Sequence, residues 1–145
     1  MPEVKENIVK YMILTYASQQ DYDGMAGKAT DKPAWTGADF AAMGAFMENF
    51  NRELEESGEL VETRGLAAPV HTRRIGGGRA AIVTDGPYAE TQEVLAGYWI
   101  VECESFDRAT EIASRLAKTP APEHVAAGAY ADIRPIMESS ADLLL

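Results

Sequence analysis

The chain has 145 residues, 46% of them hydrophobic, which is the length of one domain with enough apolar material for a core, and it excludes global disorder. Its formal charge of −10, from 23 acids against 13 bases, repels phosphate backbones and anionic lipid heads, so neither nucleic acid nor membrane is an expected partner. No apolar run approaches the roughly 18 residues that span a bilayer, the N-terminus shows no small-residue cleavage site, and the lone Cys103 fits a reducing cytoplasm.

In chain order, KYMILTY (Lys10 to Tyr16) is a β-rich apolar run and predicts a first strand. The Gly- and Asp-containing stretch that follows, up to Trp35, reads as a loop. A helix is predicted from about Ala38 to Ser57, because Phe40, Met43, Met47, Phe50 and Leu54 step by three and four. Thr36 suits its N-cap, and Gly58 stands where its C-terminus favours a left-handed residue. An irregular second strand ends near Ile75, after which Gly76 to Gly78 are expected to supply the positive φ angles of a hairpin turn. That run is no phosphate loop, since no strand-to-helix step follows it and no lysine is placed for phosphate. Arg73, Arg74 and Arg79 around it read as a solvated hairpin tip.

RAAIVT (Arg79 to Thr84) predicts a third strand that runs into the motif DGPY, Asp85 to Tyr88. GYWIVEC (Gly97 to Cys103) is strongly β in composition, with Cys103 expected to be a buried, inert thiol. Ser105 caps a second helix reaching Lys118, with Asp107 in its first turn and Lys118 in its last, both suited to the helix dipole. Its apolar stripe is Phe106, Ala109, Ile112, Ala113 and Leu116. AYADIRPIM (Ala129 to Met137) closes the chain's pattern as a final strand. One domain is expected over residues 1–145, with a core over 10–137 and flexible tails over 1–9 and 138–145.

The order strand, helix, strands, helix, strand predicts an α+β fold, the ferredoxin-like split βαβ sandwich with an antiparallel sheet. Two helices cover one face of that sheet, yet the strands are apolar on both. Met12, Leu14 and Tyr16 alternate with Tyr11, Ile13 and Thr15, and Tyr98 and Ile100 with Trp99 and Val101. A second copy packed on the open face, giving a homodimer, is the expected cover.

Chemistry-bearing residues are sparse. His71 and His124 are far apart in sequence with no metal-ligand spacing, and no serine or cysteine has the setting of a nucleophile, so no metal and no cofactor are expected. The DGPY motif is more specific. An aspartate at a strand end accepts hydrogen bonds from backbone N–H groups two residues on, and Gly86 relieves crowding before Pro87. If Asp85, Tyr88 and Glu90 converge at a cleft, Asp85 is the candidate general base. Tyr16, Tyr88, Glu90, Tyr98 and Arg134 are the candidate ligand-binding residues, and Tyr130, Asp132 and Arg134 alternate along the last strand as a polar row.

Four segments, KYMILTY, LEESGELVETRGLAAP, VTDGPYAETQEVLAGYWIVECESFDRATEIASRL and ADIRPIM, resemble the DGPF branch of the YCII-related family over nearly the whole chain, with Tyr88 where phenylalanine is usual. The resemblance implies a ferredoxin-like fold that dimerises into an α/β barrel, company with extracytoplasmic-function sigma factors, and a reaction that is mostly unassigned. Some relatives on the YCII side carry a histidine on the first helix and an acid before a proline after the second, considered a catalytic pair. Along that pattern Met47 falls at the histidine and Thr119 precedes Pro120. Neither can act as an acid or base, so the dehydrochlorinase-type activity of one branch is not carried over. Two functions follow as expectations: a dimeric module binding an unidentified small molecule or a protein such as a sigma factor, and a lyase or isomerase using Asp85.

Overall fold

The computed structural model describes residues 10–144, and within them six β-strands and four α-helices. The expected tail over 1–9 lies outside the described residues, as does Leu145 of the second tail; Ser140–Leu144 forms a 3-10 turn. β1 (Lys10–Ala17) runs through the middle of a four-stranded antiparallel sheet ordered β2-β5-β1-β6, where β2 is Leu60–Gly65, β5 Val94–Glu102 and β6 Ala131–Pro135. With β3 and β4 set aside, that order is the ferredoxin-like one.

Two long helices cover one face. α2 (Gly37–Glu56) begins in a reciprocal cap. The Asp39 N–H donates to Thr36 Oγ1 at 3.1 Å, and the Thr36 N–H donates to Asp39 Oδ2 at 2.8 Å. It ends at Ser57, and Gly58 follows with φ of +81°. Phe50 and Leu54 on α2 are fully buried against Ile13 of β1 and Val101 of β5, with Phe50 edge-on to Trp99 at 6.0 Å. The predicted stripe fades toward the N-terminus, where Phe40 is exposed. α3 (Phe106–Leu116) is capped by Ser105, which accepts from the Arg108 N–H, and it buries Ala109, Ile112, Ala113 and Leu116. It closes earlier than expected, so Arg115 rather than Lys118 is the base in its last turn. Arg115 reaches across to Glu53 of α2 at 2.9 Å.

Three expectations need correction. The stretch after β1 contains α1 (Gln19–Met25), whose Ser18–Asp21 capping box offsets a weak apolar pattern. A short α4 (Glu123–Ala126) follows the prolines after α3. The chain between β2 and β5 adds no strand to the main sheet. It makes a 3-10 turn at Pro69–His71 and a separate hairpin, β3 (Arg73–Ile75) with β4 (Val83–Asp85). The connection over 76–82 is too long for a two-residue primed turn, and none of its glycines has a positive φ. Ile75, Ile82 and Val83 of this hairpin are exposed.

Candidate functional site

Asp85 ends β4 opposite Arg73, and its carboxylate accepts from Arg73 Nε at 2.8 Å on the solvent side. This ion pair takes the place of the expected backbone hydrogen bonds. Gly86 then turns with φ of +58° while its N–H donates to the Thr72 carbonyl. Tyr88 lies under the Arg74 guanidinium, 5.3 Å from ring centroid to Cζ. Glu90 contributes its backbone: its carbonyl accepts from the Gln20 N–H at 3.0 Å, satisfying an open donor of the first turn of α1. The motif is therefore a brace between hairpin and helix. Asp85, Tyr88 and Glu90 border neither of the two cavities described next.

The first cavity, about 220 Å³, opens at the end of the sheet where β1 leaves and α3 finishes. Thr15 and Tyr16 are consecutive and both border it, at the point where the β1–β5 register slips from Thr15↔Gly97 to Tyr16↔Leu95. Such an irregularity re-aims side chains at a strand end, which strict alternation does not foresee. The Tyr16 hydroxyl donates to Asp132 Oδ2 at 2.8 Å, and its ring stacks on Tyr130 at 5.1 Å. Burial first, and then the hydrogen bond to Asp132, push the Tyr16 phenol up to about 12. Desolvation and the neighbouring Glu93 carboxylate also raise the Tyr130 phenol. Both phenols thus stay protonated at neutral pH.

Asp21 from α1, Trp35, Glu93, Thr119 and His124 complete the polar and aromatic wall, and Met47 and Leu116 supply apolar contact. Of the candidate ligand-binding residues, the cavity gathers Tyr16 alone. Tyr98 turns to the open face and donates to Glu62 at 2.5 Å, and Arg134 pairs in register with Met12. The polar row splits: Tyr130 borders the cavity, Asp132 orients Tyr16, and Arg134 does neither. Sequence reasoning missed Asp21, Trp35, Glu93 and His124 as site residues because they come from four separate segments. The one local signal was the Ser18-x-x-Asp21 capping pattern, which betrays a helix where a loop was expected.

A second cavity of about 520 Å³ lies between α1, α2 and the sheet, with Tyr22, Met25, Met43 and Leu66 in its lining. Thr15, Met47 and Trp99 border both cavities. Cys103 is buried, its thiol pushed up by burial, and its Sγ donates to the Ser105 carbonyl at 3.5 Å. No group of three metal-ligating side chains occurs among the described residues, and no helix among them is long and apolar enough to cross a membrane.

A model of the YCII-related domain matches residues 9–139. The chain belongs to the YCII-related family. An uncharacterized protein of Rhizobium meliloti (strain 1021) is 38% identical over 55 residues, a match spanning 38% of this chain and 40% of the relative's length. In this YCII-related chain, Met47, Thr119 and Pro120 border the same cavity.

Proposed function

We propose that this YCII-related protein, of the DGPF branch, binds a small molecule in the cleft at the end of the sheet. The observation that carries this reading is the cleft itself, where five separate stretches of chain bring aromatic and polar side chains around one cavity, while Met47 and Thr119 leave the two dyad positions without proton chemistry. The protein works as a cytoplasmic homodimer paired through the sheet face away from the helices. Met12, Leu14, Tyr98 and Ile100 alternate away from the buried Tyr11, Ile13, Trp99 and Val101 and support that pairing. A link to an extracytoplasmic-function sigma factor rests on the family resemblance.

A thermal-shift screen of metabolites tests the binding. A ligand well above its dissociation constant stabilises the fold by a few kcal/mol, and Ala121→Phe, which puts a ring at the cleft wall, should abolish the shift. Ligands whose effect survives Ala121→Phe would place binding elsewhere. Sedimentation at micromolar concentration showing only a 15.7 kDa species would remove the dimer.

Lyase or isomerase chemistry is a second reading, and one observation favours it: His124 borders the cleft together with Tyr16. In that reading His124 carries the proton rather than Asp85, which is held in an exposed ion pair. His124→Gln would then stop turnover with ligand affinity retained, whereas Asp85→Asn would leave both unchanged.

A further inference from the structure

We infer that the ligand of this cleft is a small organic cation, an ammonium group carried on a single-ring or similarly flat apolar body. The inference rests on the cleft being the binding site, as proposed above.

The first ground is the hydrogen-bonding inventory. Four side-chain donors at the cleft are already committed to the protein. Thr15 Oγ1 donates to the Gly97 carbonyl at 3.2 Å, Tyr16 to Asp132 at 2.8 Å, and Thr119 Oγ1 to the Leu116 carbonyl at 2.5 Å. Trp99 Nε1, the fourth, donates to Asn51 Oδ1 at 2.8 Å. The three donating hydroxyls keep oxygen lone pairs, so toward a ligand those groups can accept but not donate. A ligand rich in donors is matched to such a wall, and a ligand rich in acceptors finds only the His124 ring N–H and the Tyr130 hydroxyl, the latter beside the Glu93 carboxylate.

The second ground is charge. Asp21 and Glu93 border the cavity, and no lysine or arginine does. Asp21 spends Oδ2 on the Ser18 N–H at 2.9 Å, and the other carboxylate oxygen keeps its acceptor capacity. A carboxylate or phosphate entering this space would meet like charge with no lysine or arginine to offset it. An ammonium would meet opposite charge and the aromatic rings of Tyr16, Trp35 and Tyr130, to which cations are drawn. The net charge of −10 adds attraction at long range.

Size sets the body. At about 220 Å³, the cavity exceeds the roughly 150 Å³ that accommodates benzene and falls short of the roughly 300–1,000 Å³ of sites for drug-sized ligands. One ring with a short chain fits.

Calorimetric titration with three probes of near-equal shape tests the inference: 2-phenylethylamine, 2-phenylethanol and phenylacetate. The amine should bind at least about tenfold more tightly than the alcohol, and phenylacetate should show no binding at millimolar concentration. Glu93→Gln, at an exposed position, should weaken the amine about tenfold while leaving the alcohol's affinity unchanged, and Ala121→Phe should remove both. Alcohol or phenylacetate binding as tightly as the amine, with loss in Ala121→Phe, would overturn the cation and leave the cleft standing. Amine binding that survives Ala121→Phe would reveal general attraction to an acidic surface and overturn the inference. If no probe binds at millimolar concentration, the cation and the cleft reading lose their support together.

Discussion

Two arginine–carboxylate contacts in this protein share one distance, 2.8 Å from Nε to oxygen, and little else. Arg108 on the first turn of α3 holds Glu59, at the entry to β2, through a second 2.8 Å contact from Nη2, and the side chains are 31% and 16% exposed. Arg73 holds Asp85 by a single contact across the hairpin, with the side chains 66% and 73% exposed. Water screens the second pair and largely spares the first, and the forked geometry of the first adds directionality. Equal distance therefore carries unequal weight, and the DGPY motif, conspicuous in sequence, stands on the side of the molecule where electrostatics are weakest. The core region is fixed by its own packing, whereas the hairpin is attached by backbone hydrogen bonds and surface contacts.

The sharpest way to break that comparison is to empty each region of one large side chain. Phe50→Ala should cost about 3–5 kcal/mol in urea unfolding, as expected for a fully buried phenylalanine. Ile82→Ala, at a position 67% exposed, should stay within about 0.5 kcal/mol. A loss at Ile82 approaching that at Phe50 would show that a partner buries the hairpin.

A smaller effect is expected at the half-buried ion pair. Arg108→Met should cost about 1–3 kcal/mol by leaving Glu59 without its partner. The hydrogen bond from Arg108, as the leading cause, holds the Glu59 carboxyl below its usual range. Its folded value being depressed, this group stabilises the fold above its unfolded value of about 4.3, and that stability is lost as pH falls through the folded value. The wild type should therefore shed more stability than Arg108→Met in acid titration below about pH 4. Parallel curves would mean that the pair contributes nothing.

The smallest effects belong to the motif. Gly86→Ala must adopt φ of +58° and should cost about 1–2 kcal/mol. Asp85→Asn should cost less than about 1 kcal/mol and leave cleft binding unchanged. A steep loss of ligand affinity in Asp85→Asn, with melting unaltered, would restore Asp85 as a functional carboxylate.

Much of the fold was legible because local signals agreed with tertiary demand. Thr36, Gly58 and Ser105 marked helix ends by side-chain chemistry, and the 3.6-residue stripes of α2 and α3 pointed at the same core. α1 was not legible as a helix because its seven residues include two aspartates and a glycine, which are poor helix formers. Its ends are held by the Ser18 cap, by the Glu90 carbonyl and by the Trp35 N–H to the Gly24 carbonyl. Those last two are contacts that no local pattern encodes. Gly76 to Gly78 misled for the converse reason: the residues permit a tight turn, but the paired strands begin too far apart to require one. Of the cleft, Tyr16 was legible from its place at a strand end, and Met47 and Thr119 from the family pattern. His124 and Glu93 belong to it through tertiary convergence alone.

The partition between the two cavities has a consequence for the range of ligands. Thr15, Met47 and Trp99 border both volumes, so the two chambers share part of their wall. Met47 reaches it through three rotatable bonds ending in a thioether. The division is thus adjustable, and shortening that one side chain should let a longer molecule extend from the smaller chamber into the methionine-lined one. Met47→Ala is accordingly the change that would trade tightness for reach, moving selectivity from one-ring ligands toward those with an apolar tail.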